Sequence, residues 1–153
     1  MDRDDAPAPP EEPAEHLRFA AYLGRLERVA DADEADLISE VLADPDRAMA
    51  RSAVVRHLDR RAGELYPGPG YEGWAASVAA ATVRSPFLTG RLAEWSLFRA
   101  VALGLPWRRE ALLDASDWLQ LRAAEAGNGD AVRILAECGR TRRIRNTARA
   151  NGR

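Results

Sequence analysis

From Phe19 to Ala148 the apolar side chains recur every three or four positions, and no stretch alternates with the period of two that a half-buried strand requires. Phe19, Tyr22, Leu23, Leu26 and Val29 stripe a first helix over about 15–29. Leu37, Ile38, Val41 and Leu42 stripe a second, and Met49, Val54, Val55, Leu58 and Ala62 a third. Trp74, Val78 and Ala81 follow at i, i+4 and i+7, then Leu88, Leu92, Trp95 and Ala102 on a longer helix. Leu112, Leu119 and Ala123 mark a stretch over about 107–126, kinked near Ser116. Val132, Leu135 and Ala136 define a short helix, and Ile144 and Ala148 the inner side of a last one. The pattern predicts an all-α chain of seven to eight helices.

The breaks between stripes carry helix-start and helix-stop chemistry. Asp31 followed by Glu34 reads as a capping box. In Asp44-Pro45-Asp46 the proline suits a first helical turn and Asp44 is placed to cap it. Ser85-Pro86 repeats that device, and Gly104 is a left-handed stop. Pro67-Gly68-Pro69-Gly70 and Gly127-Asn128-Gly129 are the strongest interruptions, while Asp130 and Thr141 are placed to cap the last two helices. Gly90 interrupts a helical stripe at a cost of about 1 kcal/mol relative to alanine, which predicts a close helix crossing there.

The helix starts at Asp44, Ser85 and Asn128 are spaced at nearly constant intervals of roughly 40 residues, the period of helical-hairpin repeats. Over LISEVLADPDRAMARSAVVRHLDRRA, residues 37–62, the chain resembles a HEAT repeat, or more broadly the HEAT-like and armadillo-like group. The features that carry the resemblance are a leucine-rich first helix, the Asp-Pro-Asp turn, and a second helix with small and apolar residues at helical spacing. What it implies is a right-handed stack of about three hairpins, an α-solenoid over 15–150, with the first helix and the segment broken by Gly139 acting as end caps. Stacked hairpins bury one another's apolar faces and line up second helices into an extended surface. Such a surface suits binding rather than catalysis.

The two ends carry opposite charge. Residues 1–16 hold six carboxylates and one arginine, with Pro7, Pro9, Pro10 and Pro13 among them, so 1–14 reads as a disordered, solvated tail. It has no apolar core of the kind a signal peptide needs, and no apolar run reaches the ~18 residues of a membrane span. Both observations predict a cytoplasmic protein without a membrane partner. Residues 139–153 hold six arginines and no acid. All 22 basic residues of the chain are arginine and alanine fills nearly one position in five, the bias of a GC-rich bacterial genome. The arginines are therefore not all chosen for guanidinium chemistry.

Few residues offer catalysis. One cysteine, Cys138, excludes an intrachain disulfide, and its neighbour Arg140 leaves two readings: a reactive thiol, or a half-buried residue packing a helix end. His16 and His57 have no carboxylate or cysteine at ligand spacing, and phosphate-loop, serine-hydrolase and zinc motifs are absent from the sequence. No cofactor and no metal is expected. The polar signal is Arg140, Arg142, Arg143, Arg145 and Arg149, three of which (142, 145, 149) share a helical face. Trp107 beside Arg108 adds the residue types that dominate interfaces. The expected function is a small non-enzymatic scaffold or adaptor binding another protein, with an acidic surface as one fit. The alternative is nucleic-acid binding through the C-terminal arginines, as HEAT-like arrays of certain alkylpurine DNA glycosylases grip the DNA backbone. A solvated helix end needs neither.

Overall fold

A computed structural model of the chain describes residues 14–126 and 129–152. Among them there are nine α-helices, one short 3-10 turn and no strand, so the all-α expectation holds. The count exceeds eight because 107–126 is two helices rather than one kinked helix. The expected tail lies outside the described residues except for Ala14, which opens the first helix. No helix among the described residues is long and apolar enough to cross a membrane. The chain divides into two compact units, Met1–His57 and Leu58–Arg153, with the third helix running through the division.

In the first unit α1 spans Ala14–Arg28, a 3-10 turn Asp31–Asp33 leads into α2 (Glu34–Leu42), and α3 (Arg47–Leu65) begins. Of the predicted stripes Leu37, Ile38 and Val41 of α2 and Val54 of α3 bury, with Leu26 from α1. Leu42, Met49 and Val55 are only partly buried, and the small Ala50 and Ala53 take the inner side of α3 beside Val54. Two capping expectations change. The position before α2 is Asp33, which makes no side-chain cap, because the chain enters α2 through the 3-10 turn that Asp31 opens; Glu34 is buried, its Oε2 lying 2.6 Å from His57 Nε2. Asp44 does not cap α3 either. Its Oδ1 accepts from Asp46 N–H, and Asp46 is the residue whose carboxylate accepts from Met49 N–H at 3.1 Å. One aspartate shapes the turn and the other caps the helix.

The second unit contains the end of α3, then α4 (Tyr71–Ala81), α5 (Pro86–Leu103), α6 (Arg109–Asp114), α7 (Asp117–Ala126), α8 (Gly129–Cys138) and α9 (Arg142–Asn151). Ser85 Oγ accepts from Leu88 N–H with Pro86 in the first turn, and Gly104 closes α5 at φ 69°, as the sequence predicts. The core gathers around Trp95, which is fully buried and donates its indole N–H to Asp59 at 2.8 Å. Phe98 and Trp118 meet it edge-on at 5.8 and 5.5 Å between centroids. Gly90 is not at a crossing: a Cβ there would meet nothing within 4 Å.

The α6–α7 break and the α8–α9 turn share one buried residue. Gln120 donates to the Leu112 and Leu113 carbonyls, and its own carbonyl accepts from Arg140 N–H at 2.9 Å. It thereby ties the end of α6 to the α8–α9 turn, adding a donor to two helix-end carbonyls that also accept from Ala115 N–H and from Arg140. Ser116 caps α7 by accepting from Leu119 N–H, and is itself held by Glu94 of α5.

Candidate functional site: the basic face of the last helix

The turn before α9 is set by Gly139. A Cβ there would stand 2.6 Å from the Leu135 carbonyl oxygen and 2.7 Å from Ile144 Cγ2, so only glycine lets α8 and α9 meet this closely. Thr141 then caps α9, its hydroxyl accepting from Ile144 N–H at 3.1 Å. Ile144 and Ala148 are buried, and Asn151 ties the far end of the helix to the Ala124 carbonyl of α7. With its inner side so fixed, α9 has a defined outer side.

The predicted arginines separate into two groups. Arg140 and Arg145 work within the fold. Arg140 donates to Asp117 at 2.8 Å and to the Leu113 carbonyl, and Arg145 donates to the Gly139 carbonyl at 2.8 Å. Arg142, Arg143 and Arg149 are exposed, and none forms an ion pair among the described residues. Arg149 only reaches Asn146 Oδ1 at 3.4 Å. At 100° per residue Arg142, Arg145 and Arg149 lie within one 60° arc, as the sequence predicts, with Asn146 and then Arg143 on the Arg142 side of it; Arg145, at the edge nearer the buried side, is the partly buried one of the three. α9 contains no acidic residue.

Their position is electrostatically unusual. A helix N-terminus carries a partial positive charge, so anions favour it and cations do not. Arg142 and Arg143 occupy the first turn, and only Arg149 lies in the last turn, where a cation suits the dipole. The cluster is therefore not simply a dipole-matched helix end. Charge and dipole add at one exposed spot to attract an anion.

Trp107 and Arg108 are elsewhere in the unit. Trp107 is half-buried and lines a cleft of about 700 Å³ with Leu105, Pro106, Asp130 and Ile134. Arg108 is exposed and sits 3.8 Å from Glu110. No hydrogen bond or ion pair among the described residues joins either one to the α9 arginines. Cys138 is exposed rather than half-buried and accepts from Arg109 at 3.5 Å. Among the described residues no group of three His, Cys, Asp or Glu side chains is placed to hold a metal.

The sequence missed the partners that close only in three dimensions: Glu34 for His57, and Gln120 for two helix ends. No local signal marks them, since each bond joins separate helices or turns. In comparisons with protein-family models, curated proteins and solved structures, none matches this chain.

Proposed function

We propose that the chain is a non-enzymatic, HEAT-like helical scaffold that binds another protein, and that the exposed side of α9 is where an acidic surface of that protein docks. One observation carries the reading: Arg142 and Arg143 stand exposed, with no ion pair among the described residues, in the first turn of a helix, where the dipole already disfavours them. Arg149 extends the same face, and guanidinium forks match carboxylates two bonds at a time. Trp107 with Arg108 forms a second candidate contact of the type enriched at interfaces. Nucleic acid is the second reading, favoured by the absence of any acid on α9.

Changing Arg142, Arg143 and Arg149 together to glutamine tests both, with polyglutamate and a 15-base-pair duplex as probes. On the protein reading the wild type associates with polyglutamate, and the triple variant associates more slowly with a weaker salt dependence, while circular dichroism stays unchanged. Duplex binding is then absent at about 50 mM salt. On the nucleic-acid reading the duplex binds, and losing three phosphate contacts flattens the log–log salt slope by about 2.7. Equal binding of wild type and variant to both probes removes α9 from the function.

A further inference from the structure

Arg122 of α7 is a cation held by aromatic rings. Its guanidinium carbon lies 4.4 Å from the ring centroid of Trp95 and 5.5 Å from those of Phe98 and Trp118. Its Nε is buried and has no hydrogen-bond partner, and the residue forms no ion pair among the described residues. Arg91, which also stacks in this cluster, shows what a completed arrangement looks like. It stacks on Trp118 at 3.7 Å and also donates to the Asp59 carboxylate at 3.2 Å, its Nε standing 3.1 Å from the same group though poorly aligned. Arg122 has the stacking and lacks the carboxylate.

The Nε is shut off from any ligand, but neither terminal nitrogen is buried or hydrogen-bonded among the described residues, so the outer edge of the guanidinium is where a carboxylate can be received two bonds at a time. Ring stacking also fixes the guanidinium plane before any ligand arrives, which lowers the entropy lost on binding. We propose that Arg122 is a preformed receptor for one carboxylate of a partner protein, an aspartate or glutamate side chain, with Trp95, Phe98 and Trp118 as its backing. A single charge fits better than a phosphate chain. Arg122 is the one cation of its helix, and Glu125 lies exposed one turn along. The site is separate from α9 and stands or falls independently of it.

The test is titration of the full chain with an acetylated glutamate hexapeptide, followed by tryptophan emission because Trp95 and Trp118 form the walls. The wild type gives a saturable change. R122Q weakens it by about tenfold or more, or one decade in Kd. R122K, which keeps the charge but not the planar fork, also weakens it, whereas the triple glutamine variant of α9 retains it. In the wild type the Arg122 Nε–H resonance shifts with the same midpoint, a readout that does not depend on any variant folding. Wild-type and R122Q curves that coincide, or a resonance that stays still while the emission changes, overturn the proposal. An Arg122-dependent response that is tighter for inorganic phosphate or for a 15-base-pair duplex than for the peptide overturns the choice of carboxylate.

Discussion

Asp44 shows how much a single side chain can hold. It is nearly fully buried, and it accepts from Tyr22 Oη at 2.7 Å, from Asp46 N–H, and from Arg18 Nε at 3.1 Å. The Tyr22 hydroxyl is the largest cause holding its carboxyl below the ordinary aspartate range, followed by the Asp46 amide, with Arg18 adding to both. The reciprocal effect raises the Tyr22 phenol above its usual value. A carboxyl whose folded pKa is depressed adds stability above its unfolded pKa, about 3.9, and loses it as pH falls through the lower folded value. Tyr22→Phe therefore melts at a lower temperature than wild type near neutral pH, and the gap shrinks as pH falls below the aspartate range. Thermal melts at the two pH values check this. A gap that stays the same on acidification would mean that Tyr22 acts through packing alone.

Two glycines in the second unit behave oppositely at the level of the helix. Gly90 sits in the interior of α5 with open space where a Cβ would go, so Gly90→Ala stabilises by about 0.5–1 kcal/mol through helix propensity and a less disordered unfolded chain. Gly139 sits in the α8–α9 turn with backbone and Ile144 in the way, so Gly139→Ala destabilises and loosens α9. Thr141→Ala removes the α9 cap at a cost of about 1 kcal/mol. Urea unfolding of the three variants reads all of these effects. Destabilisation by Gly90→Ala would restore the close crossing that its position in the stripe suggests.

Over the whole molecule charge is divided sharply. Residues 1–57 hold seven arginines against fourteen carboxylates, a net of −7, and residues 58–153 hold fifteen against ten, a net of +5. The overall −2 thus conceals a basic unit able to attract acidic surfaces at long range, more strongly in low salt. That unit is organised around Trp95, whose ring touches Phe98, Trp118 and Arg122 and whose indole N–H holds Asp59. Trp95→Ala costs about 3–5 kcal/mol, chiefly by creating a large cavity, and leaves Asp59 with Arg91 as its donor. Calorimetry of wild type and variant measures the loss. A change below about 1 kcal/mol would place the centre of the core elsewhere.

The helices themselves were legible in one dimension. The i, i+3, i+4 stripes, the Ser85-Pro86 start, the Gly104 stop and the Thr141 cap all rest on contacts within four residues, and local chemistry decides those. The division of arginines was not legible. Arg140 and Arg142 read alike in the sequence, yet one meets Asp117 and the Leu113 carbonyl while the other meets no carboxylate among the described residues. The same holds for His57, paired through a residue 23 positions away, and for Gln120, which bonds across three chain segments. Periodicity specifies which side of a helix is buried. Which polar groups meet across that burial depends on how separate helices pack, and that is decided only when the chain closes on itself, because a buried polar group must find its partner wherever packing brings one.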